Sequence, residues 1–334
     1  MYCKECGARL VDGAHYCQDC GAPVDTTAVG GPPVPWAEAS DERPDAEAEG
    51  SLATTKRARR GSVTCSLALL GILLSVVGEV FFSVLAMFTG SDVYLFGLLG
   101  SSVVAGASVC ALGGASLLDV RKSSMGWALR AGWWVLAVSV GVTVFDLVGS
   151  VANGVRFEQD WLIKAWYALA LCACIGFSEE AMFRGLLLGG LLDVMGKDRR
   201  GVIRAVLLSS VLFGAAHIEW WDINYADPLQ LAQAVLKILQ TGMMGFFLAA
   251  LTVRTKSIIG PAVVHGLADF VIFFYSYCLL GESLDVSYVS SGSEGVETTV
   301  LYLVMIVLYI PMVVQAARML KDVPAPDYGA LHKQ

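Results

Sequence analysis

The segment SEEAMFRG, Ser178–Gly185, places two glutamates and an arginine inside an apolar stretch long enough to cross a membrane. Two segments of the same kind follow it, FGAAH at Phe213–His217 and HGLAD at His265–Asp269. An ionisable side chain in the hydrocarbon region is costly unless it is paired or hydrated, so it marks a functional site by default. The three segments therefore predict a polar, water-accessible site inside a bundle of membrane helices.

The composition points to the same environment. The 334 residues are 56% hydrophobic and 16% charged, whereas soluble domains usually carry about 25% charged residues. Much of the net charge of -7 comes from the acidic stretch 25–49, and no basic patch interleaved with aromatic residues accompanies it. We therefore expect a membrane protein with one small soluble appendage and no nucleic-acid partner.

Eight apolar stretches approach or exceed the length of about 20 residues that crosses a hydrocarbon core of about 30 Å. They are roughly 63–89, 94–118, 127–152, 161–193, 201–219, 229–252, 257–280 and 298–319. The sequence thus predicts an all-α polytopic membrane domain of about eight transmembrane helices over residues 61–320. The fourth stretch is too long for one straight crossing, and we expect it to be tilted, broken near Gly176, or extended beyond the bilayer.

Lysine and arginine collect in alternate loops between the predicted spans, which indicates the cytoplasmic side. These residues are Lys56, Arg57, Arg59 and Arg60, then Arg121 and Lys122, Lys197, Arg199 and Arg200, Arg254 and Lys256, and Arg318 and Lys321. The opposite loops carry Arg156 and are otherwise mostly acidic. We therefore expect a multi-pass protein of the cell membrane with both termini, including the tail 321–334, in the cytoplasm.

The chain opens with four cysteines in the pattern C-x2-C-x10-C-x2-C, which is typical of a zinc ribbon. They are Cys3, Cys6, Cys17 and Cys20. Two disulfides are the alternative, but a cytoplasmic terminus without an export signal favours a structural Zn²⁺ site over residues 1–22. The acidic, proline-rich segment 23–60 is predicted to be a disordered linker. The ribbon would either recruit a cytosolic partner or be a simple folded tail.

Glu180 and Arg184 are four residues apart on a helix, so they face the same side and can form an ion pair. Glu179 points about 100° away from Glu180, which leaves it free to face a cavity. One carboxylate would then be neutralised while the other acts as a base. The alternative is that both glutamates and Arg184 form a charge cluster that only holds helices together.

Helical rise places His217 and Glu179 at similar depths, about 24 and 22 Å from the cytoplasmic ends of their spans. His265 and Asp269 are one turn apart on a common face. A carboxylate and an imidazole can together activate a water for attack on an amide carbonyl. The same ligands could instead hold a divalent metal ion, although the sequence has no HExxH motif. No serine, cysteine or threonine here has the surroundings of a nucleophile.

The three segments fit the patterns E-E-x-x-x-R, F-x-x-x-H and H-x-x-x-[N/D], in that order and on separate spans. Over residues 160–280 the chain resembles the CPBP family, which includes type II CAAX prenyl endopeptidases and bacteriocin-processing or bacteriocin-immunity proteins. The resemblance implies an intramembrane endopeptidase acting on a peptide or lipidated peptide without a catalytic metal. Glu179 and His217 would activate the water, His265 and Asp269 would line an oxyanion site, and Glu180 with Arg184 would support them.

Asp269 departs from the prenyl endopeptidases, which typically have asparagine at this place. An ionised aspartate accepts hydrogen bonds but cannot donate one to an oxyanion. Asp269 is therefore either protonated or orients His265. A catalytically silent membrane protein, for example an immunity or scaffold protein, is the alternative from another functional class.

Overall fold

The computed structural model describes residues 45–120, 122–196, 198–284 and 287–321, and within these ranges it contains helices and no β-strand. The α-helices are α1 (Asp45–Thr89), α2 (Val93–Ala111), α3 (Lys122–Ala131), α4 (Trp133–Ala152), α5 (Trp161–Glu180), α6 (Gly189–Met195), α7 (Arg199–Ala216), α8 (Pro228–Thr255), α9 (Ile259–Phe273) and α10 (Gly292–Lys321). Two π-helices, Ala181–Leu188 and Phe274–Leu279, extend α5 and α9. The predicted all-α architecture is confirmed.

Seven segments within the described ranges are long and apolar enough to cross a bilayer. They are Val63–Thr89, Val93–Ala111, Trp133–Ala152, Trp161–Met195, Pro228–Thr255, Ile259–Leu279 and Gly292–Lys321. Large apolar side chains cover much of their outer surface, for example Phe88 and Phe145, which are 85% and 79% exposed. Such a surface is suited to lipid tails rather than water, and the chain is a multi-pass membrane protein.

Seven segments satisfy this measure where about eight spans were predicted, and the difference is the expected span 201–219, which falls on α7. That helix has 18 residues, and its first two turns carry three arginines, so it is less apolar than the others. It nevertheless packs antiparallel to α8, since a Cβ atom on Gly214 would meet the Ile238 carbonyl and one on Gly245 would meet Phe213. The end of α7 therefore lies beside the middle of α8.

The stretch predicted as an overlong fourth span is one continuous helical segment from Trp161 to Met195. It is not broken near Gly176. The irregularity comes after Glu180, where the α-helical pattern widens into the π-helix Ala181–Leu188. Wide turns of this kind are rare and concentrate at functional sites.

Two glycines allow α5 and α9 to approach each other backbone to backbone. A Cβ atom on Gly176 would lie 2.5 Å from the Ala262 carbonyl oxygen, and one on Gly266 would lie 2.6 Å from the Cys172 carbonyl oxygen. Each distance is too short for a real side chain. Glycine at both positions therefore sets the spacing of the two helices that carry most of the polar site.

Helix α1 begins at Asp45, inside the segment 23–60 that was predicted to be a disordered linker. Residues 45–60 are helical instead, and their composition is compatible with this because alanine, leucine, glutamate, lysine and arginine are strong helix formers. The predicted zinc ribbon, the remainder of the linker and residues 322–334 of the tail lie outside the described residues. The ribbon, its metal and the cytoplasmic placement of the termini stay predictions.

Candidate active site

The structure brings all six predicted site residues together where four helical segments meet. The end of α5 carries Glu179 and Glu180, the π-helix that follows it carries Arg184, His217 caps the C-terminus of α7, and α9 carries His265 and Asp269.

Glu180 and Arg184 form the predicted ion pair, with Arg184 Nη1 2.8 Å from Glu180 Oε1. Both side chains are buried, at 0% and 1% exposure. Arg184 Nη2 also donates to the Gly245 carbonyl at 3.2 Å, and the guanidinium lies 4.1 Å from the centre of the Phe213 ring. The arginine thus ties the π-helix to α7 and α8 while it neutralises Glu180.

Glu180 in turn holds His265. Its Oε1 atom lies 3.0 Å from His265 Nδ1, and because an ionised carboxylate only accepts, Nδ1 carries the proton in this hydrogen bond. The other ring nitrogen, Nε2, lies 3.4 Å from Asp269 Oδ2 and 3.8 Å from Glu179 Oε2. Three carboxylates therefore surround the imidazole of His265, which suits a positively charged ring.

His217 is held by its own helix. Its Nδ1 atom lies 2.8 Å from the Phe213 carbonyl oxygen, which can only accept, so Nδ1 is the protonated nitrogen. The lone pair of the neutral ring is then on Nε2, which lies 3.6 Å from Glu179 Oε2. This arrangement points a proton acceptor of His217 at a proton acceptor of Glu179.

Glu179 Oε2 is buried, and no hydrogen bond from another described residue reaches it. Buried polar atoms in folded proteins nearly always have a hydrogen-bond partner. His217 Nε2 and His265 Nε2 approach this oxygen to 3.6 and 3.8 Å, just beyond hydrogen-bond range. The oxygen is thus suited to accept a proton from a small donor that enters between the two imidazoles.

These groups open on a cavity of about 570 Å³, within the range typical of small-ligand sites. Glu179, His217, His265 and Asp269 line one side of it. Further polar lining comes from α1, α2, α8 and α10 and includes Glu79, Tyr94, Lys237, Gln240 and Tyr309. The cavity is large enough for a short peptide segment beside the carboxylates.

Two ionisable residues of this lining were not predicted as site residues. Glu79 is a charge within the first predicted span, but no motif assigns it a role. Lys237 lies nine residues into the apolar helix α8, and a lysine at such a depth is itself the signal of a functional position. Neither belongs to one of the three motifs, so motif spacing alone could not find them.

Within the described part of the chain, no group of three or more His, Cys, Asp or Glu side chains is arranged to hold a metal ion. The four side chains Glu179, His217, His265 and Asp269 are close, with nitrogen-to-oxygen separations of 3.4 to 3.8 Å. Carboxylates and imidazoles are side chains that can exchange protons with a bound molecule.

The family comparison gives a match to part of the chain. Residues 161–271 match the family model described as type II CAAX prenyl endopeptidase Rce1-like. The matched segment covers less than half of the chain, and it contains all six residues of the site. No curated protein and no solved structure matches the chain. The match supports the resemblance to the CPBP family and a relationship to membrane endopeptidases.

Proposed function

We propose that the protein is an intramembrane endopeptidase in which Glu179 and His217 activate a water molecule. The observation that carries this proposal is the pair Glu179 Oε2 and His217 Nε2, two proton acceptors 3.6 Å apart at the wall of a cavity. A water that donates one hydrogen to each acceptor has its oxygen lone pairs directed away from both, into the cavity. An amide carbonyl carbon placed there is in position for attack.

In the first step the water oxygen bonds to the carbonyl carbon, the carbonyl π electrons move to its oxygen, and one water proton moves to Glu179 or His217. In the second step the oxyanion re-forms the carbonyl and the C–N bond breaks. The leaving nitrogen takes the proton that the first step stored. General acid–base catalysis of this kind typically contributes about 10²- to 10⁴-fold in rate.

His265 Nε2 faces the same space and can donate to the oxyanion when its ring is positively charged. Asp269 Oδ2 at 3.4 Å is placed to orient that ring and stabilise its charge. Of the two roles considered for Asp269, the orienting role needs no protonated aspartate and fits this contact better. Glu180 and Arg184 hold His265 from the opposite side.

The family description suggests the substrate class, a peptide ending in a prenylated C-a-a-X sequence. The test uses the purified full chain with a farnesylated C-a-a-X peptide and its unprenylated counterpart, with products identified by mass spectrometry. Release of a C-terminal fragment is expected for wild type and not for Glu179→Ala or His217→Ala. Turnover at the wild-type rate in either variant would contradict the mechanism.

The same assay distinguishes the alternatives. A chain with Cys3, Cys6, Cys17 and Cys20 changed to serine has no ribbon zinc, so loss of its activity with a chelator and recovery with Zn²⁺ would favour a metal-dependent route. Binding of peptides without any cleavage would favour a silent binding or immunity protein. The zinc content of the two chains also tests the proposed structural Zn²⁺ site in residues 1–22.

We further propose that both termini, with the ribbon, lie on the cytoplasmic side and that a cytosolic protein is the ribbon's partner. Protease digestion of sealed inverted vesicles is expected to remove epitope tags at both ends. A tag protected at either end would contradict this orientation.

A further inference from the structure

Lys237 places a cation in the wall of the cavity that the mechanism above does not use. Its Nζ atom lies 4.2 Å from the centre of the Tyr288 ring and 5.8 Å from that of the Tyr302 ring. Tyr302 is fixed by a 2.7 Å hydrogen bond from its hydroxyl to the Tyr288 carbonyl. The two aromatic faces hold the ammonium group in place by cation–π attraction.

Within the described ranges, Lys237 Nζ has no carboxylate oxygen within 4.0 Å. Tyrosine rings partly compensate a desolvated cation, but they do not accept the three N–H bonds of an ammonium group as oxygen atoms do. A lysine inside a membrane span is normally paired with an anion or lines a substrate pathway. Lys237 thus has hydrogen-bond donors available for a ligand.

Lys237 also lies at the level of the catalytic pair. Its neighbour Ile238 contacts α7 at Gly214, three residues before His217. Lys237 and His217 line the same cavity, together with Glu179. An anion bound by the ammonium group would therefore belong to the molecule that presents its amide bond to the water.

We propose that Lys237 binds a carboxylate of the peptide substrate and so fixes the position of the peptide relative to Glu179. The proposal rests on the function proposed above, in that the cavity takes a peptide. The carboxylate comes either from the C-terminus of the peptide or from an acidic side chain near it. Both sources present the same pair of oxygen atoms to the ammonium group.

The test measures binding and does not depend on cleavage. Dye-labelled farnesylated C-a-a-X peptides are titrated into the full chain carrying Glu179→Ala, in phosphatidylcholine nanodiscs. In the first pair of peptides, one member has a free C-terminus and the other an amidated C-terminus. In the second pair, both members are amidated, and the residue before the farnesylated cysteine is Asp in one and Asn in the other. Each pair is measured with Lys237, with Lys237→Met and with Lys237→Arg. Lys164→Met, whose lysine pairs with Glu158 and Asp160 outside the cavity, is the matched control.

With Lys237 present, one pair is expected to show about 10- to 100-fold tighter binding of its carboxylate member, the usual effect of a charge-assisted hydrogen bond. The pair that responds identifies the source of the carboxylate. Lys237→Met is expected to abolish the difference, while Lys237→Arg and Lys164→Met retain it.

Equal binding within both pairs, no measurable binding, or a preference that survives Lys237→Met would overturn the proposal. A second measurement uses nanodiscs that contain both phosphatidylcholine and phosphatidylglycerol. The proposal would also be overturned if Lys237→Met left peptide binding unchanged and altered only the amount of phosphatidylglycerol bound to the protein, because the anion would then be a lipid phosphate. If wild type binds the carboxylate peptide selectively but cleaves nothing, the proposed peptidase function fails and the Lys237 site stands.

Discussion

His217 Nε2 and Glu179 Oε2 face each other at 3.6 Å, and the proton on His217 Nδ1 is already committed to the Phe213 carbonyl. The hydrogen bond inside α7 therefore determines which nitrogen of His217 can act as a base. Replacing His217 by a side chain of similar size that lacks the Nε2 lone pair is expected to leave the fold intact. It is expected to remove the proton acceptor that the proposed reaction needs.

Glu179→Ala and His217→Ala are each expected to lower kcat by about 10²- to 10⁴-fold, because each removes one acceptor of the attacking water. Peptide cleavage followed by mass spectrometry checks this result. Glu297→Ala, at an exposed position on α10, is the acidic control and is expected to cleave at the wild-type rate. All three variants should have a thermal unfolding midpoint near that of wild type. If a variant that loses cleavage also has a clearly lower midpoint, the loss is due to misfolding and does not support the mechanism.

Arg184→Met is expected to destabilise the protein by about 3–5 kcal/mol, since it leaves the fully buried Glu180 carboxylate without its cation. Chemical denaturation in detergent measures the change. The double variant Glu180→Gln/Arg184→Met is expected to recover part of the loss because no unpaired charge remains. If Arg184→Met were as stable as wild type, the ion pair would not be the anchor of the π-helix.

Asp269→Asn is expected to retain cleavage within about 10-fold of wild type, because the amide has the size of the carboxyl group and keeps an oxygen beside His265 Nε2, so only the charge is lost. Asp269→Leu, of similar size but without an acceptor, is expected to lose about 100-fold. The measurement is kcat for both variants on one peptide. Equal activity of the leucine variant and wild type would show that Asp269 does not position His265.

Gly176→Ala is expected to cost about 1–3 kcal/mol of stability, because the new methyl group would lie 2.5 Å from the Ala262 carbonyl oxygen. Cleavage is expected to fall with it, since α5 and α9 carry the site. Gly141→Ala has no atom near the added methyl group and is the control. That control is expected to keep or slightly raise stability, so a comparable loss in both variants would contradict the close-contact explanation.

Asp227 lies just before α8, where Ser291 Oγ donates to its Oδ2 at 2.7 Å and the Leu229 amide donates to its Oδ1 at 2.9 Å. These hydrogen bonds hold the pKa of the Asp227 carboxyl below its usual value of 3.8. A depressed folded-state pKa contributes stability that is present above the unfolded-state pKa and is lost as the pH falls through the folded-state pKa. The unfolding midpoint of wild type is therefore expected to exceed that of Asp227→Asn at pH 7.

Thermal unfolding of both proteins at a series of pH values checks this expectation. The difference between the midpoints is expected to shrink as the pH falls from about 5 to below about 3. Asparagine also caps helices well, so the charge is the main change. A difference independent of pH would contradict the role given to the carboxylate.

Much of the site could be predicted from the sequence because its groups repeat at helical spacing. Glu180 and Arg184 had to share a face, and so did His265 and Asp269. The similar distances of His217 and Glu179 from the cytoplasmic ends of their spans predicted that these two residues lie close together. The π-helix after Glu180 could not be predicted, because its residues Ala181–Leu188 have no pattern that distinguishes i→i+5 hydrogen bonding from the i→i+4 bonding of a regular α-helix.

The predictions that missed have two origins, tertiary packing and the reading of local composition. Lys237 lies on a helix outside the motifs, and only the fold shows that α8 brings it to the cavity. Helix α7 is long enough for a predicted span, but its three arginines set it apart from the seven segments that are apolar enough to cross a bilayer. Local composition also predicted a disordered linker over residues 23–60, whereas α1 already begins at Asp45 within that segment.

The contact of α5 with α9 at Gly176 and Gly266 has a consequence for how a substrate reaches the cavity. With their backbones touching, these two helices cannot slide or separate without losing the alignment of Glu179 with His265. A motion that opens the cavity therefore has to move α5 and α9 together. A substrate has to enter the cavity at a place other than the seam between these two helices.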